Sequence, residues 1–197
     1  MINLKKRENT LFLSLSIFMG LVIIVSNYLV QFPINHFGLK NILTYGAFTY
    51  PVTFLITDLA NRSLGKIIAR KVVFIGFVFG ILLTLFVSTN FNDLISVRIA
   101  IGSGSAFIVA QLIDVEIFQK LRNKIWFIAP ITSSFFGSII DTFIFFSISF
   151  FGTDVPWISL AIGDLAVKFT IALLLLFPYR ILTFKLRDFS EIKKIQV

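Results

Sequence analysis

The side chains in this sequence that could do chemistry are carboxylates set into apolar segments. Asp114, Glu116 and Asp141 lie in the stretch Ala106 to Gly152, which is rich in Phe, Ile and Leu and has one short basic interruption. An ionised side chain near the centre of a membrane helix costs about 2.5 to 3.5 kcal/mol, so it needs a partner or water. Carboxylates suit ligands with N–H donors, amines, protons or sodium.

Spacing divides these acids among helix faces. Gln111 and Asp114 are three residues apart and share a face, whereas Glu116 lies roughly 200° further round. Glu116 precedes Lys120 by four residues, which fits an interfacial ion pair. Asp58 stands in the same relation to Arg62 in the segment TDLANR, where the two can pair along one helix end.

Two further groups are predicted to lie deep in the membrane. Asp141 follows a strip of small and polar residues that suits a cavity wall, and lies roughly 15 Å from the end of its helix. Lys168 lies roughly 16 Å from Trp157 and follows Asp164 by four residues. Lys168 either forms a self-contained pair with Asp164 or also binds Asp141 or Asp114 in a ligand or coupling site.

The composition requires membrane helices to position these groups. Of 197 residues, 57% are hydrophobic and 14% are charged, and the mean hydropathy is +0.93, which indicates an integral membrane protein. No Cys and a single His36 leave few groups for thiol or imidazole chemistry, so we expect no catalytic residues, cofactor or metal. The +8 charge lies between apolar runs, which argues against nucleic acid as a partner.

The apolar runs predict an all-α bundle of six transmembrane helices in one domain, 1–197. A helix needs about 20 apolar residues to cross the bilayer. Pro51 is expected to kink the second helix, and Gly102, Ala106 and Ala110 form a small-residue ridge that favours close packing of the fourth. The predicted spans are 10–33, 42–61, 72–89, 94–121, 125–151 and 157–179.

Basic residues predict the orientation of the bundle. With six spans, fifteen of the 18 Lys and Arg residues fall on one face, Lys40 and Arg98 fall on the other, and Lys168 lies inside the last helix. Cytoplasmic loops carry the excess of Lys and Arg, so both termini are predicted to be cytoplasmic. The fifteen residues are Lys5, Lys6, Arg7, Arg62, Lys66, Arg70, Lys71, Lys120, Arg122, Lys124, Arg180, Lys185, Arg187, Lys193 and Lys194.

Three ordered segments resemble the queuosine precursor transporter family, formerly grouped as vitamin-uptake transporters. They are PVTFLITDLANRSLGKIIAR (51–70), AFIVAQLIDVEIFQKLRNKIW (106–126) and SIIDTFIFFSISFFG (138–152), and the resemblance continues through GDLAVKF (163–169). It implies a multi-pass importer of 7-deazaguanine bases in the bacterial inner membrane, serving tRNA queuosine salvage. The motif positions carried over are Asp58, Gln111, Asp114, Glu116 and Asp141; Asp164 and Lys168 complete the candidate site for substrate binding or coupling.

Two other functions stay open at this stage. Substrate-binding subunits of energy-coupling-factor importers are also small six-helix bundles, but they require an ATPase and a coupling subunit. A membrane enzyme is less favoured, because the sequence has no HExxH, GxSxG or Cys/His nucleophile pair. The expected partners are a planar, nitrogen-rich deazapurine and the lipid bilayer, and the small size of the chain makes a homodimer plausible.

Overall fold

Seven helices make up nearly all of the described chain. The structure is a computed structural model that describes residues 2–36, 42–87 and 91–195, and within these ranges it contains no strand beyond an isolated bridge between Pro33 and Thr44. The all-helical prediction is therefore confirmed. The helices are α1 (Ile2–Leu29), α2 (Gly46–Thr49), α3 (Val52–Leu64), α4 (Lys66–Val87), α5 (Leu94–Leu121), α6 (Ile128–Phe150) and α7 (Trp157–Ile195).

Many large apolar side chains lie on the outside of the bundle, and several charged ones lie inside it. Ile67, Phe143 and Phe177 are each more than 70% exposed, whereas Asp114 and Lys168 are at most 3% exposed. Four helical segments of the described chain are long and apolar enough to cross a membrane: Lys5–Leu29, Leu94–Leu121, Ile128–Phe150 and Trp157–Leu186. An apolar exterior around an interior that mixes hydrophobic clusters with buried polar groups fits a lipid environment, so this is a multi-pass membrane protein.

Predicted and observed helix boundaries agree for α5, at both ends. The first helix begins at Ile2 rather than residue 10, because the Lys, Arg and Glu residues of the head favour a helix. It ends at Leu29, four residues early, and Pro33 pairs with Thr44 instead. The last helix passes through Pro178 to Ile195. The predicted end of the third span at Thr89, and the loop residues Gly38 and Lys40, lie outside the described residues.

The predicted second span is divided at Tyr50 and Pro51. The ring of Pro51 has no N–H to continue the ladder of helical hydrogen bonds, so α2 ends at Thr49 and α3 begins at Val52. Tyr50 still donates its N–H to the Gly46 carbonyl, and its own carbonyl accepts from the N–H of Thr53. The backbone therefore stays nearly helical across this break.

Small residues set the closest helix contacts, as the ridge on α5 predicts. A Cβ placed on Gly102 would lie 2.4 Å from Ser149 Oγ of α6, so only glycine allows this approach. Ala106 and Ala110, one and two turns further along, are completely buried. Arg98 at the start of α5 donates to the carbonyls of Ile148 and Phe151, which ties α5 to the end of α6.

Candidate functional site

Lys168 on α7 lies at the centre of a buried ionic network. Its ammonium nitrogen is 2.7 Å from Asp141 Oδ2 on α6 and 2.5 Å from Asp164 Oδ2 one turn earlier on α7. It also donates to Thr142 Oγ1 at 3.0 Å, and Thr142 in turn donates to Asp164 at 2.8 Å. Of the three pairings considered for Lys168, those with Asp164 and Asp141 are therefore present and the one with Asp114 is not, so one cation serves two acids.

Tyr50 completes this network from the break between α2 and α3. Its hydroxyl donates to Asp141 Oδ1 at 2.7 Å, so both oxygens of Asp141 are occupied. The Lys168 nitrogen lies 5.0 Å from the centre of the Tyr50 ring, within cation–π range. Tyr50 and Pro51 both keep right-handed helical backbone angles, so the aromatic ring is placed in the network by a nearly continuous helical segment.

The network forms one wall of a small cavity of about 20 Å³, which is room for roughly one water molecule and far less than a small-molecule ligand occupies. Its opposite wall includes polar residues from α1 and α5, where Ser103 donates to Asn27 Oδ1 at 2.5 Å. The cavity combines carboxylates, an ammonium group, neutral polar groups and two aromatic rings. Its lining residues are Ser26, Asn27, Val30, Gly46, Tyr50, Ser103, Asp141, Phe145, Asp164 and Lys168.

A second set of buried acids consists of Asp58 on α3 and Asp114 on α5. Asp58 and Asp114 are 2% and 0% exposed and are near enough to interact electrostatically. Ser133 of α6 donates to Asp58 Oδ1 at 3.2 Å, whereas neither oxygen of Asp114 has a hydrogen-bond partner in the described chain. The predicted pair of Asp58 with Arg62 is not a salt bridge. Arg62 donates instead to the Tyr179 hydroxyl and the Arg122 carbonyl.

Asp58 also lines a second, smaller cavity of about 10 Å³ between α3, α6 and α7. Ser134 and Ser138, from the polar strip of α6 that the sequence assigns to a cavity wall, line this space. The hydroxyl of Ser138 is buried and has no hydrogen-bond partner among the described residues. Tyr50 borders the first cavity, whereas Pro51 and Phe54 border the second. The start of α3 therefore lies between the two spaces.

Gln111 belongs to a different set of contacts. Its amide oxygen accepts from Thr57 at 2.5 Å, and its amide nitrogen donates to Thr53 at 2.9 Å. All three side chains are completely buried. The amide therefore joins α5 to α3, and it lines neither of the two cavities.

Glu116 also lies apart from both cavities. Its carboxylate forms salt bridges with Lys66, at 2.8 Å, and with Arg70, both near the start of α4. Its side chain is 36% exposed. The partner anticipated from spacing, Lys120, is replaced by these two residues because α4 packs beside this end of α5. The predicted separation of Glu116 from Asp114 by helical phase is thus present, but its ion pair crosses between helices.

Comparison with known proteins gives this architecture a family. A family model described as "Putative vitamin uptake transporter" matches residues 44–182. The queuosine precursor transporter of Escherichia coli strain K12 is 34% identical, over 92% of each chain. This chain belongs to the queuosine precursor transporter family. A probable queuosine precursor transporter of Haemophilus influenzae is 35% identical over 83% of this chain and 82% of its own length.

A more distant family relative supports the same assignment. A probable queuosine precursor transporter of Bacillus subtilis is 28% identical over 85% of this chain and 82% of its own length. No solved structure gives a significant match. The site in this member of the queuosine precursor transporter family is therefore located from the contacts described above. The family match spans Tyr50 and all seven candidate residues from Asp58 to Lys168, but it begins after the polar residues of α1.

Sequence reasoning missed several residues that line the cavity. Ser26 and Asn27 are adjacent polar residues in an otherwise apolar run, a signal that was available. Tyr50 directly precedes Pro51, but a tyrosine at a helix break does not reveal that its hydroxyl reaches Asp141 across the bundle. Ser103 lies between Gly102 and Gly104 of α5, a position that predicts a role in helix packing. Their proximity depends on tertiary packing, which has no local signature.

Proposed function

We propose that this protein imports a queuosine precursor, a 7-deazaguanine base such as the 7-cyano or 7-aminomethyl form, across the bacterial inner membrane. The observation that carries the proposal is the buried network in which Lys168 is held between Asp141 and Asp164, beside a small cavity that must widen to admit a base. A guanine-like edge presents adjacent N–H donors, which a carboxylate accepts well. The relatives in which this region matches are named transporters of queuosine precursors.

In this proposal the substrate site consists of Asp141, Asp164 and Lys168, with the Tyr50 ring as a face on which a planar base stacks. Two carboxylates and one ammonium group leave one net negative charge, which favours an aminomethyl cation and tolerates a neutral base. The remaining candidates have other roles: Asp58 and Asp114 in coupling, and Gln111 and Glu116 in holding α5 against its neighbours, as their contacts favour.

The chain is proposed to form one domain with six spans, in which α2 and α3 together make the second crossing and α4 the third. Both termini are then cytoplasmic, because this arrangement puts fifteen of the 18 basic residues on the inner face. The apolar outer faces also allow a homodimer. No catalytic role is proposed, since the relatives are named as transporters.

The proposal is tested in bacterial cells that lack both queuosine synthesis and precursor import. Expression of this chain should allow labelled 7-cyano-7-deazaguanine to enter and queuosine to appear in tRNA, measured by mass spectrometry of tRNA nucleosides. The Asp154→Asn variant, which alters an exposed turn residue, is the matched control and should also restore queuosine. Absence of queuosine in cells whose membranes contain the wild-type protein contradicts the proposal.

An energy-coupling-factor mechanism makes a different prediction. Such a subunit requires an ATPase, whereas the importer proposed here acts alone. We expect the purified chain in lipid vesicles to exchange labelled base for unlabelled base without ATP. Exchange that appears only after an ATPase and a coupling subunit are added would favour the energy-coupling-factor alternative.

A further inference from the structure

We propose that Asp58 and Asp114 form a proton-binding site that couples transport to the proton gradient, and that Asp114 carries the proton. This inference rests on the proposed transport function and deepens it by naming the coupling ion and its site. It assigns a role to the acid pair between α3 and α5, which lies apart from the Lys168 network.

The contacts of the two acids indicate that one of the two carboxyl groups holds a proton. No lysine, arginine or histidine nitrogen in the described chain forms a salt bridge with either carboxyl group, although both are buried. Two neighbouring carboxylates in an interior of low polarity are not both ionised, as paired acids in other proteins show. The Ser133 hydrogen bond and the nearby positive charge of Arg62 both favour an ionised Asp58, whereas neither oxygen of Asp114 has a partner among the described residues, so we assign the proton to Asp114.

The charged surroundings of the pair support a single negative charge. Arg62, one turn along α3, interacts electrostatically with Asp58, and Tyr179 of α7 interacts with Asp58 as well. On the α6 side, the Ser133 hydroxyl donates a hydrogen bond to Asp58. The basic residues Lys66 and Arg70 of α4 form salt bridges with Glu116. The sequence of α1 has no charged residue after Glu8. One distant arginine thus balances one of the two acids.

The coupling ion in this proposal is a proton rather than sodium, because a single proton on one carboxyl group removes the repulsion within the pair without a further ligand. In the described part of the chain, no group of three or more His, Cys, Asp or Glu side chains could hold a metal ion. Asn61, three residues after Asp58, donates its amide to the Val115 carbonyl beside Asp114, and its own buried side-chain oxygen has no partner there. It adds an unsatisfied acceptor to the same region.

The second cavity gives Asp58 a small polar space beside it, and the helical segment from Tyr50 to Asp58 gives a mechanical link to the substrate site. Asp58 lines this space together with Ser138, whose unpartnered hydroxyl can hold a water or pass a proton. Tyr50, which binds Asp141 in the substrate cavity, precedes Asp58 by eight residues, roughly 12 Å along the helical segment. A change of charge at Asp58 and Asp114 therefore acts on the same segment that contacts the substrate site.

The test uses the purified full-length protein in lipid vesicles with labelled 7-cyano-7-deazaguanine, a neutral base that brings no charge of its own. Exchange of labelled for unlabelled base at equal pH reports transport alone, and its absence contradicts the proposed function rather than this inference. An external medium one pH unit more acidic, with the membrane potential clamped at zero, should then drive about tenfold accumulation for one proton per base. Exchange without such accumulation, or accumulation driven by sodium, overturns the inference.

Substitution of Asp114 separates coupling from transport. Asp114→Asn should retain exchange and lose the pH-driven accumulation, Asp114→Glu should retain both, and Asp154→Asn in an exposed turn is the control. Accumulation by Asp114→Asn at the wild-type level overturns the assignment to Asp114.

A measurement on the wild-type protein locates the proton even if the variants do not fold. Dicyclohexylcarbodiimide reacts with protonated carboxyl groups in apolar surroundings, and mass spectrometry identifies the modified residue. We expect the adduct on Asp114, with less of it as the pH rises. Modification of Asp141 or Asp164 in its place would move the proton site to the Lys168 network and overturn the proposal.

Discussion

Lys168 carries the positive charge that balances both acids of the buried network. It is 3% exposed and compensates two acids, so the network is stable as a set and vulnerable to the loss of its single cation. Removing one partner of a buried ion pair leaves an uncompensated charge, which is far more destabilising than the pair itself is stabilising. Substitution of Lys168, Asp141 or Asp164 is therefore expected to affect folding and transport to different extents.

Lys168→Met should lower the free energy of unfolding by about 3 to 5 kcal/mol, because it leaves Asp141 and Asp164 facing each other without a cation. Asp141→Asn should be milder, since the amide oxygen still accepts from Lys168, the amide NH2 can donate to the Tyr50 hydroxyl oxygen, and Asp164 still balances the charge of Lys168. It should nevertheless reduce transport strongly. Thermal unfolding in detergent and uptake in vesicles measure the two effects, with Lys120→Met, at an exposed position, as the control for loss of a lysine. Equal uptake by Asp141→Asn and wild type would exclude Asp141 from the substrate site.

Gln111→Met is predicted to affect stability rather than recognition. The substitution keeps the size of the side chain but leaves the buried Thr57 hydroxyl without its acceptor, at a cost of about 1 to 3 kcal/mol, whereas the Thr53 hydroxyl still donates to the Tyr50 carbonyl. The melting temperature in detergent should fall, while the substrate concentration at half-maximal uptake stays unchanged. A weaker apparent affinity at unchanged stability would instead place Gln111 in the substrate site.

At the scale of helices, the sequence predicts what local chemistry controls. The limits of α5 are correct because Asp93 caps its start, where it accepts from the N–H groups of Ile95 and Ser96. The deep position of Lys168 follows from counting residues along α7. The arrangement of Tyr50, Asp141 and Asn27 around one cavity was not predictable, since it depends on which faces of three helices meet. Likewise, the helical phase of Glu116 separates it from Asp114 but does not identify Lys66 as its partner.

Gly163 allows α7 to pack closely against the chain before α2. A Cβ at this position would lie 2.1 Å from the carbonyl oxygen of Ile42, a backbone atom that cannot move aside alone. Gly163→Ala should therefore displace this part of α7, which carries Asp164, and should lower both stability and uptake. Gly104→Ala is the matched control, because its new methyl group would meet the flexible end of Ile81 at 3.0 Å. Similar melting temperatures for the two variants would contradict this account of the packing.

For the whole molecule, the open question is how many helices cross the membrane. Four described segments, on α1, α5, α6 and α7, qualify by length and composition. Helix α4 is 22 residues long, and its sequence carries no charged residue from Val72 onward, which favours six crossings over four. With four crossings, α3 and α4 would lie on the outer side, together with Arg62, Lys66, Arg70 and Lys71. With six crossings these four basic residues face the cytoplasm, in agreement with the excess of positive charge on that side. Both arrangements leave the two termini cytoplasmic, so reporters fused to the termini do not distinguish them.

Cysteine labelling does distinguish the two arrangements, and the natural chain, which has no cysteine, is a ready background. Ile67, in the first turn of α4, is 73% exposed, and Ile67→Cys should be protected from a membrane-impermeant maleimide in intact cells if six helices cross. Asp154→Cys should react and Lys124→Cys should be protected under either arrangement, so they calibrate the assay. Each variant should react after the cells are permeabilised. Reaction of Ile67→Cys in intact cells, at the rate of Asp154→Cys, would establish four crossings and place the start of α4 outside.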